Sequence, residues 1–356
     1  MGFLTTRLLF IALALVCLVL PWPAGLVEPY YSRGLYPAVQ QLMTSASNLL
    51  PVSLLDLGLI AAVLGLALAP VRIWRAGRGR RLRAAGRFVV NVVAGAAVLY
   101  LCFMVAWGLN YHRDPVTTRL DFDERRITAE AAERLAVQAL SHMNAICGAS
   151  AQAWPDRPLD EVAQELAPLV DDWVASLRLT AVVVPGRPKR TLLDAYFTRA
   201  GVSGMTDPLF LETLVASDLL PFERPAVVAH EWAHLAGLAR ESEASFAGFI
   251  LCMRGDGLTR YSGWFALFME LFGSLDADAR SRVQARVPEC VRRDWRAVVA
   301  RNQKNRQPVV GQIAWRAYDS YLKSNRVESG VRNYSEVVRL TLGTRFDAEW
   351  RPIRGR

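Results

Sequence analysis

The stretch PAVVAHEWAHLAGLARESEASF, residues 225–246, decides the fold of the carboxy-terminal part of the chain. It contains His230-Glu-Trp-Ala-His234, an HExxH pattern, after an apolar run that begins at Pro225. Proline is favoured in the first turn of a helix, and histidines four residues apart share one helical face. Gly237 suits the left-handed residue that commonly ends a helix. The stretch therefore predicts a helix over residues 225–236.

The two histidines of this helix can each direct a ring nitrogen at one metal ion, and zinc is the ion that this pattern typically binds. Glu231 lies about 100° around the helix from His230, so it can contact a water on the metal rather than the metal itself. Zinc acidifies such a water, and a carboxylate can take its proton during attack on a carbonyl. Only four histidines occur in the chain, so a chance match is rare. We predict one zinc ion, bound by His230 and His234, with Glu231 as the general base.

A catalytic zinc normally has three protein ligands and a water, so the sequence must supply one more ligand. The pattern HExxHxxGxxH would place a histidine at position 240, where this chain has Arg240. In glu-zincins, the zinc enzymes whose third ligand is a glutamate, that glutamate lies on a separate helix. In this chain Glu241 and Glu243 begin the next predicted helix, and Ser245 follows four residues after Glu241. We predict Glu241 as the third ligand, with Glu243 as the alternative and Ser245 as a residue that orients a ligand.

Three apolar stretches are long enough to cross a bilayer, since roughly 20 helical residues span about 30 Å of hydrocarbon. They cover about 8–27, 50–71 and 88–109. The first also resembles a signal peptide, but no small-x-small cleavage site follows it, which favours an uncleaved helix. We therefore predict a membrane anchor of three transmembrane helices over residues 1–110, with the lipid bilayer as a partner.

The positive charge of the chain, +9 overall, is concentrated between the second and third apolar stretches. Apolar runs flank this segment on both sides, so we interpret it as a cytoplasmic loop and predict no nucleic-acid partner. The amino terminus then lies in the cytoplasm, and residues 111–356 form an extracytoplasmic domain. The arginines of the loop are Arg72, Arg75, Arg78, Arg80, Arg81, Arg83 and Arg87.

The domain after residue 110 has mainly helical periodicity with a short β-branched run, Thr180–Val184, and a further strand or strand pair near 209–216. This order predicts a mainly α fold: three membrane helices, then an α-rich, zincin-like α+β domain with a small sheet. The helices predicted besides 225–236 cover about 128–144 with Thr128 as N-cap, 159–177, 241–254, 258–273, 276–304, 308–324 and 334–342.

The cysteines include no C-x-x-C pair, which argues against a cysteine-based zinc site or a thioredoxin-type motif. Cys147, Cys252 and Cys290 all fall in the domain that we place outside the cytoplasm, where a disulfide can form. The sequence leaves open whether two of them pair or all three are buried thiols.

A series of motifs runs along the chain: Trp107–Arg113, Gly201–Gly204, Pro208, Glu212, Pro221-Phe222, His230–Phe246, Tyr318–Lys323, Gly330 and Tyr334-Ser335. In this order the motifs resemble those of a bacterial membrane-protein family known as domain of unknown function 3810. The resemblance covers nearly the whole chain and implies a multi-span anchor in the bacterial inner membrane together with a zincin-like HExxH domain. Ser245 stands where the family pattern has asparagine, and His112 where it more often has an aromatic residue.

These patterns together predict a membrane-anchored zinc metallopeptidase that hydrolyses peptide bonds of a peptide or protein outside the cytoplasm. Two alternatives remain open at this point. One is a non-catalytic sensor or assembly module of the cell envelope that keeps the zincin fold. The other is a zinc amidase that acts on cell-wall material.

Overall fold

The computed structural model describes residues 3–148, 154–179, 182–324 and 336–355. It is mainly helical, with one small sheet, as the sequence predicts. The amino-terminal helices are α1 (Phe3–Val19), α2 (Ala24–Leu26), α3 (Tyr36–Asn48), α4 (Leu54–Arg75) and α5 (Arg81–Ala106), with a π-helix over Val27–Leu35. The helices of the second part are α6 (Ala129–Cys147), α7 (Leu159–Leu166), α8 (Val170–Ser176), α9 (Asp194–Ala200), α10 (Arg224–Leu235), α11 (Glu241–Cys252), α12 (Gly257–Ser274), α13 (Ala277–Ala285), α14 (Glu289–Asn305), α15 (Pro308–Ser324) and α16 (Glu336–Gly343).

Within the described residues, two helices are long and apolar enough to cross a membrane: Leu54–Arg75 and Arg78–Ala106. The first predicted span, 8–27, differs from the structure. Helix α1 ends at Val19, before two prolines, and the helical segment that follows is bent by 112° relative to it. A third span therefore exists only if this bent pair is counted as one.

Residues 28–48, between the first and second predicted spans, are helical. The π-helix and α3 occupy this segment, and α3 packs against β3 and α5. Val27, Tyr31 and Tyr36 belong to the same buried apolar cluster as the second part of the chain. Residues on both sides of position 110 therefore contribute to one buried core.

The sheet has three strands, β1 (Pro188–Lys189), β2 (Gly204–Asp207) and β3 (Glu212–Val215), in the order β1-β3-β2. Strand β2 is antiparallel to β3, and β1 is parallel to it. The prediction near 209–216 corresponds to β3. The strand predicted over 180–184 was wrong for residues 182–184, which are irregular, while 180–181 lie outside the described residues.

Prolines shorten two of the predicted helices. The helix predicted over 276–304 is two helices, α13 and α14, because Pro288 separates them. The helix predicted over 159–177 is divided by a 3₁₀ turn that contains Pro168. Thr128 caps α6 as predicted, since its hydroxyl accepts a hydrogen bond from the N–H of Ala131.

Candidate metal centre

Helix α10 carries the HExxH pattern and matches its predicted bounds within one residue. Pro225 lies in its first turn, and Val228, Ala229 and Trp232 are buried on the faces that pack into the core. The helix ends at Leu235, and Gly237, two residues later, has a φ of +83°, a left-handed backbone conformation that favours glycine. Because the helix stops there, the chain can turn back and place α11 beside it.

The turn brings the first residue of α11 to the two histidines. Glu241 Oε2 lies 3.1 Å from His230 Nε2, and Glu241 Oε1 lies 3.6 Å from His234 Nε2. One ligand atom from each of the three residues falls within 4.8 Å of the others. The structure therefore brings together the three residues that the sequence predicts as ligands.

Hydrogen bonds at the far side of each imidazole set which nitrogen faces the centre. His234 Nδ1 lies 2.8 Å from the carbonyl oxygen of Leu238, which can only accept, so Nδ1 carries the proton and donates it. Nε2 of His234 therefore faces Glu241, and in the neutral imidazole it offers its lone pair to the centre. The Nδ1 atom of His230 lies 3.2 Å from the hydroxyl of Ser245, which therefore holds that ring from behind. Ser245 thus lies where a residue that orients a ligand is expected.

Glu231 lies beside the histidines with one of its oxygens held. The hydroxyl of Thr206 on β2 is 2.9 Å from both Oε2 and the backbone carbonyl of Glu231. The other oxygen, Oε1, faces Gly204, where an added Cβ would come within 2.6 Å of it. Any side chain at position 204 would therefore push Glu231 from its place. Only 4% of Glu231 is exposed, whereas 21% of the His230 side chain is, so the centre opens to solvent on the His230 side.

The buried charges of this centre influence one another strongly. Burial alone would lower the pKa of His234, but the carboxylate of Glu241 outweighs it and raises that pKa to about 9. Burial opposes the ionisation of Glu241, yet the two histidines hold its pKa well below the usual range. Burial raises the pKa of Glu231 against the attraction of the same histidines. In the metal-free protein His234 and Glu241 thus form an ion pair, and zinc, which binds neutral imidazole, would displace a proton.

Glu243, the alternative third ligand, points elsewhere. Its Oε1 accepts a hydrogen bond of 2.8 Å from the N–H of Val116, at the start of a 3₁₀ helix, and lies 3.8 Å from Arg240 Nη1. This position satisfies a backbone donor that would otherwise be buried without a partner. Glu241 and Glu243 are two residues apart on α11, so one faces the histidines when the other faces away.

The donor set fits a zinc ion. Two imidazole nitrogens and a carboxylate oxygen are a known catalytic zinc ligand set, and ligands at 2.0–2.1 Å from one tetrahedral ion lie about 3.4 Å apart. The distances from Glu241 to His230 and His234, 3.1 and 3.6 Å, bracket that value. The fourth position of such an ion would be left to water or substrate.

Two residues of the centre were missed by the motif analysis. Thr206 and Gly204 lie more than 20 residues before Glu231, and only the pairing of β2 with β3 places them beside it. The run Gly201–Gly204 is one of the motifs of the family resemblance, but nothing in the sequence indicates that Gly204 lies against Glu231. The other glutamate singled out by the resemblance, Glu212, lies outside the centre and contacts the start of α4.

The comparison with protein families gives one match, and it covers most of the chain. The sequence model of a family described as "Protein of unknown function (DUF3810)" matches residues 31–342. The chain belongs to the DUF3810 family. Searches of curated proteins and of solved structures find no match. The DUF3810 match includes both helices that are long enough to span a membrane and all three residues of the candidate centre, so the two features occur within one family unit.

Disulfide pairing is also settled for the described cysteines of this DUF3810 chain. Cys147 at the end of α6 pairs with Cys290 at the start of α14, and Cys252 is a buried free thiol. Burial raises the pKa of the Cys252 thiol, which keeps it protonated. The predicted motifs at Gly330 and Tyr334-Ser335 lie outside the described residues.

Proposed function

We propose that this protein is a membrane-anchored zinc metallopeptidase with a zincin-like catalytic domain. The observation that carries the proposal is the convergence of His230, His234 and Glu241 from two consecutive helices, with Glu231 buried beside them. A metal site with a purely structural role does not require a further carboxylate beside its ligands. A catalytic centre does need one, as an acceptor for the proton of the attacking water.

In this proposal the ligands, Glu231 and Ser245 have separate roles. A zinc ion held by the three ligands supplies, when bound, an acidified water and a Lewis acid that polarises the scissile carbonyl. Glu231 takes the proton of the water on Oε1, the oxygen that Thr206 does not hold, and passes it to the leaving amine. Ser245 keeps the ring of His230 in its orientation. Glu231 is thus the proton carrier, and the other two residues position groups.

A peptide substrate is favoured by the strand next to the centre. Strand β2 is at the edge of the sheet and carries Gly204 and Thr206, which both contact Glu231. An extended peptide can add to an exposed strand edge through backbone hydrogen bonds. Such pairing would lay a peptide bond alongside Glu231.

We place the candidate centre outside the cytoplasm. The arginines between α4 and α5 support this orientation, since positively charged loops stay on the cytoplasmic side. The pairing of Cys147 with Cys290 supports it independently, because disulfides persist in oxidising compartments. The substrate would then be a peptide or protein of the bacterial envelope.

A metal and turnover measurement on the full chain in detergent tests the proposal. Wild type and Glu231→Gln should each bind about one zinc ion, while Glu231→Gln should cleave a peptide library at least about 100-fold more slowly. Glu349→Gln, at an exposed position, is the matched control and should cleave like wild type. Equal rates for Glu231→Gln and wild type would remove Glu231 from the mechanism. Absence of any cleavage by zinc-loaded wild type would favour a non-catalytic envelope module instead.

A further inference from the structure

The carboxy-terminal end of helix α10 is capped by side chains from the amino-terminal part of the chain. A helix leaves its last four carbonyls without a partner inside the helix. Here Trp107 Nε1 donates a hydrogen bond of 3.1 Å to the carbonyl of His234, and the Tyr36 hydroxyl donates one of 2.8 Å to that of Leu235. Arg113 Nη1 donates to the next two carbonyls, at 3.4 and 2.9 Å. These three side chains thus cap the end of the motif helix together with the backbone turn at Gly237.

All three donors lie at one end of the candidate membrane helices. Trp107 is the residue that directly follows α5, and Arg113 comes six residues later. Tyr36 is the first residue of α3, in the segment that leads to α4. Trp107 also packs edge-on against the ring of His234, with centroids 5.9 Å apart. A predicted ligand of the metal is therefore in direct contact with the end of a membrane helix.

The start of α4 is tied to the sheet in the same way. The carboxylate of Glu212 on β3 accepts hydrogen bonds from the N–H groups of Leu54 and Leu55, the first residues of that helix, at 3.0 and 3.2 Å. Ser53, its N-cap residue, also donates to Glu212, at 3.0 Å. Both candidate spans are thus joined to the catalytic part by buried hydrogen bonds rather than by a flexible linker.

This double attachment holds the centre close to the end of the candidate span α5. The rings of His230 and His234 are 4.8 Å apart, and the second touches Trp107. A metal ion lies about 2 Å from its imidazole nitrogens, so the centre lies within about 10 Å of the ring of Trp107, the residue that directly follows α5. The headgroup zone outside the hydrocarbon is itself about 5–7 Å thick. With α5 as a membrane span, the centre would lie near the membrane surface, held there by these hydrogen bonds.

We infer that the substrate is itself a membrane-anchored protein, cleaved in the segment that directly follows or precedes its own membrane span. This inference rests on the proposed peptidase function and adds the substrate class to it. An extended chain advances about 3.3 Å per residue, so a substrate chain reaches a centre about 10 Å away after roughly three residues. The effective concentration of bonds farther along the chain falls as the tether lengthens. A substrate in the same membrane is also held near the centre at a high effective concentration, whereas a soluble peptide is not.

Two matched peptide sets test the inference with the full chain reconstituted in vesicles of phosphatidylethanolamine and phosphatidylglycerol. The anchored set carries a randomised segment of about 12 residues, roughly 40 Å when extended, before an apolar helix. That helix has about 20 residues, enough to span the bilayer. The free set has the same randomised segment without the helix. Mass spectrometry gives the position of each cut, and Glu231→Gln vesicles give the background.

We expect the anchored set to be cut at least about tenfold faster than the free set, because anchoring raises the effective concentration. The cuts should concentrate within about five residues of the apolar helix, because the effective concentration of a bond at the centre falls as the tether that joins it to the membrane lengthens. Equal rates for both sets, or cuts spread evenly along the randomised segment, would overturn the inference and leave the peptidase function intact. If zinc-loaded protein cut neither set, the peptidase function would fall and the inference with it.

Discussion

Substitution of Glu212 by glutamine should destabilise the protein strongly, because this carboxylate joins the sheet to the start of α4. Its oxygens accept hydrogen bonds from the hydroxyls of Ser47 and Ser53, from the N–H groups of residues 54–55 and from the ammonium of Lys189, at 2.6–3.2 Å. The side chains of the pair Glu212 and Lys189 are 0% and 1% exposed. Neither charge can reach water when its partner is removed.

The magnitude follows from that burial. Removing one member of a buried ion pair costs about 3–5 kcal/mol, because the remaining charge has no compensation. In Glu212→Gln the amide oxygen still accepts one or two bonds, so we expect a loss at the lower end, about 3 kcal/mol. Replacing Lys189 by methionine in the same chain removes the stranded charge. The double variant should therefore recover at least half of the lost free energy of unfolding.

The assay is denaturant unfolding of the full chain in detergent micelles, followed by tryptophan fluorescence. Glu289→Gln serves as control, since Glu289 forms an ion pair with Arg292 while 74% of its side chain is exposed. Exposed pairs contribute about 0–1 kcal/mol, so the control should stay near wild type. A loss in Glu212→Gln no larger than in the control would refute the reasoning. So would a double variant that is no more stable than the single one.

The pH dependence gives an independent check on the same residue. Burial works against ionisation of Glu212, but the N–H of Leu54 and the ammonium of Lys189 outweigh it and lower the pKa below its ordinary value of 4.5. A lowered folded-state pKa means that the stabilisation is present above the unfolded pKa and disappears as the pH falls through the folded one. The stability difference between wild type and Glu212→Gln should therefore shrink as the pH is lowered below about 4.5.

Two further substitutions test the support of the centre. Trp107→Phe keeps an aromatic ring but loses the hydrogen bond to the end of α10, so unfolding experiments should show a loss of about 1–2 kcal/mol. Trp74→Phe, at a position that is 68% exposed, should show no such loss, and equal effects in both variants would contradict the capping role. Ser245→Ala removes the hydroxyl behind His230, so zinc affinity should fall about 10- to 100-fold in competition with a chromophoric chelator. An unchanged affinity would show that Ser245 does not orient the ring.

The part of the candidate centre that the sequence predicts is the part that residues close together in the chain determine. The spacing of His230 and His234 dictates that both lie on one face of a helix, and Gly237 marks the end of that helix. The local sequence could not decide whether Glu241 or Glu243 is the third ligand, since both occupy the first turn of α11. The position of Val116, far away in the chain, shows which way Glu243 turns.

The attachment to the membrane helices could not be predicted, because it consists of contacts between distant residues. Trp107 is 127 residues from His234, and Tyr36 is 199 residues from Leu235. No periodicity links such positions. Arg113 follows an apolar stretch, a position typical of an interfacial arginine. The structure instead buries its guanidinium against the carbonyl of Gly237 and the carboxylate of Glu28.

Metal content is the most direct test of a zinc centre built from these residues. Purified full-length protein, saturated with zinc and then dialysed, should retain about one ion per chain, and Glu241→Ala should lose it. Glu243→Ala should keep the ion, since its carboxylate binds the N–H of Val116 instead. Wild-type protein that retains no zinc, or Glu241→Ala protein that retains as much as wild type, would contradict the account.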